Sequence, residues 1–229
     1  MKLIYIKFNM IFILLYIGVL LFMRNSKILK KFSGIIILLV VVFNFHASAF
    51  GQFETVAGSA ILMEASTGQI LYEKNADVPL PPASITKVMT LLLAFEALEQ
   101  GLIDWNDDVN ISEKAWRMEG SKMFLQVGDK VKLGDIITGI SIVSANDGCV
   151  ALAEHLYGSE NAFVKVMNQR AKELGMTNSA FKNASGLPSD GHVMSAKDIA
   201  ILSRYIIEKY PKILELESQR EFTYNDIRQ

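Results

Sequence analysis

Cysteine and histidine are scarce in this chain, and each scarcity removes a class of chemistry. Cys149 is the sole cysteine among 229 residues, so no intramolecular disulfide and no cysteine-built metal site is possible. It stands in the apolar run Gly148-Cys149-Val150-Ala151-Leu152, where a small buried hydrophobe fits better than a reactive thiol. The three histidines are His46, His155 and His192, and no His-Glu-x-x-His or other metal spacing occurs. No Gly-x-Ser-x-Gly elbow is present either, which leaves a Ser-His-Asp triad without a framework. Neither a metal nor a cofactor is expected.

Acidic residues are missing from residues 1–49, where six of the 23 basic residues fall: Lys2, Lys7, Arg24, Lys27, Lys30 and Lys31. The remaining 17 basic residues face 24 acidic ones, a mildly acidic body that argues against nucleic acid as a partner. Long apolar runs are missing too. Neither 10–23 nor 35–43 reaches the roughly 20 apolar residues that span a bilayer. Arg24–Lys31, the apolar run 35–43 and the small residues Ala47-Ser48-Ala49 have the anatomy of a secretory signal peptide over residues 23–49. Residues 1–22 are then an over-extended start or an extra apolar segment. Either way export is expected, to the cell wall or the outer face of the cytoplasmic membrane.

From Phe50 onward, Gly58–Met63 and Gln69–Tyr72 read as a β-hairpin across Glu64-Ala65-Ser66-Thr67-Gly68. Pro81-Pro82 leads into Ala83–Gln100, apolar almost all round and closed by Gly101, which predicts one buried helix. Asp104–Gly134 is loop-rich. Leu133–Ile142 and Asp147–Leu156 predict two helices with a break at Val143–Asn146. Ser159–Leu174 predicts an amphipathic helix capped by Ser159, and Thr177–Val193 is irregular. Ser195–Tyr210 predicts a helix with a Ser195/Asp198 capping box and Pro211 as its terminator. Arg220–Asn225 predicts a strand, which leaves several helices against about three strands.

With histidine set aside, a lysine can serve as base if burial lowers its pKa. Ser-x-x-Lys puts both side chains on one helix face, and it occurs twice, as Ser84-Ile85-Thr86-Lys87 and Ser179-Ala180-Phe181-Lys182. Ser84 opens the buried helix, where free N–H groups favour developing negative charge, whereas Ser179 lies in a polar irregular stretch. A plain N-cap and a solvated first-turn lysine would account for the first motif equally well on spacing alone. Ser144-Ala145-Asn146 offers a hydroxyl and an amide at a break between helices, suited to relay a proton and hold a substrate amide. Ser144-x-x-Asp147 is equally a capping box, and Ser159-Glu160-Asn161 has the same form as a surface cap.

Taken together, these segments resemble the low-molecular-mass penicillin-binding proteins, specifically serine-type D-alanyl-D-alanine carboxypeptidases. The resemblance runs from about Ala57 to Gln229. It is carried by Ala60–Gly68, Leu80-Pro81-Pro82-Ala83-Ser84-Ile85-Thr86-Lys87, Gly120–Leu125, Val143-Ser144-Ala145-Asn146-Asp147, Leu174–Thr177 and Asn183-Ala184-Ser185-Gly186-Leu187. It implies an α/β (α+β) fold, a helical cluster packed on an antiparallel sheet, with 50–229 supplying part of the transpeptidase-like domain. It also implies that Ser84 attacks the terminal D-Ala–D-Ala bond of a peptidoglycan stem peptide, Lys87 takes its proton, and Ser144 and Asn146 assist and bind substrate. β-Lactam antibiotics would be covalent inhibitors. Membrane association would come through the leader or a C-terminal helix.

Ala145 replaces a common glycine, and Ala184-Ser185 a more usual proline-containing turn. The family's Lys-Thr-Gly motif does not occur; Ser66-Thr67-Gly68 is the nearest match and lies in the first hairpin turn. The resemblance therefore implies an N-terminal piece of such an enzyme, with an inactive fragment or binding module as the alternative. A β-lactamase, which shares Ser-x-x-Lys and the Ser/Asn motif, is the lower-ranked enzyme alternative. N-terminal sequencing of the unprocessed precursor checks the leader: Met23 is expected for an over-extended start, and Met1 would exclude it.

Overall fold

A helix that is apolar on every side needs neighbours on every side. The computed structural model describes residues 54–229, so the expected signal peptide and the segment before it lie outside the described residues. The chain runs β1 (Ala60–Met63), β2 (Ile70–Lys74), a 3-10 turn (Ala83–Thr86), α1 (Lys87–Glu99), β3 (Asp108–Asn110), α2 (Glu113–Trp116), β4 (Lys130–Lys132), α3 (Leu133–Val143), α4 (Asn146–Tyr157), α5 (Glu160–Glu173), α6 (Ala196–Lys209), α7 (Lys212–Glu217), β5 (Thr223–Tyr224) and β6 (Ile227–Arg228). The apolar α1 packs against α3, α4, α5 and α6. Met89 and Leu92 of α1 are completely buried, as are Ile136, Ile137, Leu152 and Phe163 of the helices around it.

The strands form three separate antiparallel pairs: β1 with β2, β3 with β4, and β5 with β6. The first is the expected hairpin, with a bulge at Leu62/Met63. Its turn is organised by Glu64, whose carboxylate accepts the N–H and hydroxyl groups of Ser66 and Thr67. Those bonds lower its pKa to about 2. Arg204 of α6 donates to the Ala65 carbonyl at 2.7 Å and fastens the turn to the helical layer.

Several boundaries depart from expectation for local reasons. Ala83 takes a left-handed φ of 48°, so the predicted single helix opens as a 3-10 turn and becomes α-helical only at Lys87. The loop-rich Asp104–Gly134 contains the β3–β4 pair and α2, which Ser112 caps by accepting the Ala115 N–H. Pro211 follows the end of α6 as expected, but it also opens the short α7. Ser195 caps α6 through the Asp198 N–H, while the Asp198 carboxylate turns away to Asn178 and Ser179, so only half of the capping box forms.

The irregular 177–195 segment is held by the bridges Leu80–Met194 and Ala180–Val193. Within it, Gly186 has φ of 86° and lies so close to the Ala83–Thr86 turn that a Cβ would sit 1.9 Å from the Ala83 carbonyl oxygen. Gly158, ending α4 at φ of 74°, has open space around it. Gly158→Ala is expected to cost about 1 kcal/mol through backbone strain alone. Gly186→Ala should cost more than about 4 kcal/mol, because backbone must move. Urea unfolding of the two variants checks this, and equal losses would refute the close packing.

Candidate functional site

The two residues of the first Ser-x-x-Lys meet. Lys87 Nζ lies 3.1 Å from Ser84 Oγ, with Ser84 exposed on the 3-10 turn and Lys87 only 4% exposed. The amine also donates to the Ser185 carbonyl at 2.6 Å. Burial holds Lys87 below its ordinary value of 10.5. A neutral amine anchored to a carbonyl can aim its lone pair at the serine hydroxyl, the geometry a general base requires. Cys149 is fully buried and its thiol is pushed up to about 12, so it remains an inert neighbour.

The loop Asn183–Gly186 beneath this pair is built to stay in place. Asn183 Oδ1 accepts the N–H groups of Ser185 and Gly186. Thr90 of α1 donates to the Ala184 carbonyl at 2.7 Å, and Glu160 of α5 accepts the Ala184 N–H at 3.0 Å. The Glu160 carboxylate is balanced by Lys114 at 2.6 Å. Sequence reasoning missed Glu160, Thr90 and the Ser185 carbonyl. A main-chain acceptor leaves no mark in residue identity, and Glu160 reads as an ordinary first-turn acid.

Ser144 and Asn146 stand at the break between α3 and α4. Ser144 is left-handed, with φ of 57°, and its Oγ is buried without a hydrogen-bond partner among the described residues. Asn146 Nδ2 donates to the Glu119 carbonyl at 2.7 Å and its N–H to the Ser121 carbonyl at 2.8 Å. Asp147 makes no capping box with Ser144. Its carboxylate instead accepts the N–H groups of Met123 and Leu125, both at 3.1 Å, holding Phe124 between them at the unusual φ of 66°. No hydrogen bond among the described residues joins this pair to Ser84 and Lys87. The link is helical, since Asn146 lies one turn before Cys149, a buried neighbour of Lys87.

The second Ser-x-x-Lys is dismantled. Ser179 donates its hydroxyl to Asp198 at 2.7 Å and Lys182 is exposed. His155 lies 3.8 Å from Asp107 on another face, and among the described residues no cluster of ligands could hold a metal.

Comparison with known proteins identifies the family. A family model described as D-alanyl-D-alanine carboxypeptidase matches residues 45–229. The D-alanyl-D-alanine carboxypeptidase DacF of Bacillus subtilis is 41% identical over 206 residues, covering 86% of this chain and 52% of that protein. Penicillin binding protein 5 from Haemophilus influenzae superposes with a TM-score of 0.77 at 37% identity, over 79% of this chain and 54% of that one. Penicillin-Binding Protein D2 from Listeria monocytogenes, in its ampicillin-bound form, gives a TM-score of 0.68 at 30% identity, over 78% and 72%. The chain thus spans about half the length of the curated relatives it matches.

Lys87 makes the fold pH-dependent. Its native pKa lies below the unfolded value near 10.5, so its contribution to stability is complete above 10.5 and is lost as pH falls through the native pKa. Lys87→Met removes this term. The stability of the variant relative to the native protein is therefore expected to be greatest at neutral pH and to shrink as pH rises toward 10.5. Denaturant unfolding across that range tests it, and a constant difference would show that burial does not disfavour the charged amine.

Proposed function

The chain belongs to the D-alanyl-D-alanine carboxypeptidase family, and on that premise we propose that Ser84 is the nucleophile of an acyl-enzyme hydrolase acting on the D-Ala–D-Ala end of peptidoglycan stem peptides. The observation that carries this reading is the buried amine of Lys87, 3.1 Å from the exposed hydroxyl of Ser84. Lys87 takes the hydroxyl proton as Oγ attacks the penultimate carbonyl carbon, and negative charge collects on the carbonyl oxygen. Collapse breaks the peptide bond; the leaving D-alanine amine receives a proton and the shortened stem remains as an ester on Ser84. Water hydrolyses the ester and restores the serine.

Ser144 and Asn146 complete the site in this reading. An unpartnered buried hydroxyl is unusual, and a substrate amide or a transferring proton would give it a partner. The Asn146 amide is pinned by the Glu119 carbonyl, which orients its oxygen for a ligand N–H. A β-lactam would follow the same attack and remain on Ser84. Residues 23–49 would direct export to the outer face of the membrane, with any membrane contact made through the leader or through sequence beyond the part matched here. No helix among the described residues is long and apolar enough to cross a membrane.

Intact-mass measurement with a penicillin tests the assignment, on the chain alone and on the chain joined after Gln229 to the remaining half of a relative. Lys-Thr-Gly does not occur in residues 1–229, so the joined protein is the deciding arm. The joined protein should give an adduct that Ser84→Ala abolishes and Ser144→Ala slows by about 10²-fold. An adduct that survives Ser84→Ala would overturn the reading.

A further inference from the structure

His192 is 4% exposed and has no part in the proton path above. Both of its ring nitrogens are engaged. Nδ1 accepts the Lys182 N–H at 3.1 Å, and Nε2 lies 2.8 Å from Thr86 Oγ1. An Nδ1 that accepts leaves the proton on Nε2, so the ring is the neutral Nε2–H tautomer and donates to Thr86. Thr86 is completely buried and stands between Ser84 and Lys87 in the chain. Two residues beyond His192, Met194 exchanges both main-chain hydrogen bonds with Leu80, just ahead of the same turn, at 2.9 Å each. The 192–194 segment therefore holds the nucleophile turn twice, from before it and from within it.

We propose that His192 is a positioning residue that, as a neutral ring, fixes the Ser84–Lys87 turn above the Asn183–Gly186 loop. The proposal rests on the reading of Ser84 and Lys87 as nucleophile and base. Without this tie, Thr86 is free to rotate with its turn, and Lys87 loses the register that brings Nζ to the Ser185 carbonyl. Protonation breaks the ring's other anchor: a proton on Nδ1 faces the Lys182 N–H donor to donor and displaces the ring from its seat against Thr86. Burial and the nearest cation favour the neutral form. Burial and the charge of Lys182 lower its pKa below 6.5. Lys87 follows Thr86 on the turn, the Phe181 ring stands edge-on at 5.9 Å, and Asp190 lies in the exposed part of the loop. Among the described residues no carboxylate bonds to the imidazole.

Imidazole and amide NMR of the chain as it stands, with the Lys87 side-chain titration, tests the proposal without needing turnover. His192 is expected as the Nε2–H tautomer, protonating below 6.5, with the Ser84–Lys87 amides shifting along the same titration. In His192→Gln, whose amide can still donate to Thr86, the acid-range shift disappears while the Lys87 titration stays low. In His192→Leu the Lys87 titration moves up toward 10.5. An Nδ1–H tautomer, turn amides that ignore the titration of His192, or a Lys87 titration unmoved in His192→Leu would each overturn the proposal. Should the leucine variant fail to fold, the native titration and the glutamine variant decide. A penicillin adduct that survives Ser84→Ala would sink the acyl-enzyme reading and leave these outcomes untouched.

Discussion

The hydrogen bond from Lys87 Nζ to the Ser185 carbonyl organises the rest of this structure. A primary amine almost excluded from solvent loses hydration that an ammonium needs, so it drifts toward its neutral form. A carbonyl partner meets one donor without supplying a negative charge that would restore the ammonium. A carboxylate at the same place would have made Lys87 a structural ion pair. The choice of acceptor thus separates a candidate base from a salt bridge, and it depends on a loop arriving at the right height beneath the Ala83–Thr86 turn.

That loop sits so close that Gly186 nearly touches the Ala83 carbonyl, and α1 and α5 hold it through Thr90 and Glu160. The Ser144–Asn146 break is supported by the same device. Asp147 accepts main-chain N–H groups of the 123–125 segment as well as that of Gly148 in its own helix, and Asn146 reaches a second stretch of the same loop. In both places buried polar side chains satisfy irregular backbone, which lets left-handed residues such as Ser144 and Phe124 persist at φ values ordinary packing would not tolerate.

Helices were legible in the sequence where burial and capping agreed: Ser159 and Ser195 cap α5 and α6 as their positions suggest, and the all-apolar α1 lies among four other helices. The first hairpin was legible from its turn residues. What escaped were elements made by tertiary pairing: β3 and β4 are three residues each, too short for an alternating pattern to stand out. The start of α1 was misread because Ala83 carries a left-handed φ that no alanine announces. Of the site, Ser84, Lys87, Ser144 and Asn146 could be named from spacing and resemblance. The Ser185 carbonyl and the neutral ring of His192 could not, since both depend on where a loop with no periodicity crosses the turn.

The two Ser-x-x-Lys motifs show why spacing alone could not choose between them. Both place a serine and a lysine three residues apart, yet the hydroxyl of Ser179 is consumed by Asp198 and Lys182 faces water. A serine already donating to a carboxylate has no proton to give an amine. At Ser84 both conditions reverse: the hydroxyl faces solvent and the amine does not. Reactivity in such a pair is therefore a property of opposite exposures held at hydrogen-bond distance. Only a turn that leaves the helix axis at Ala83 and rejoins it at Lys87 presents the first residue outward while burying the fourth.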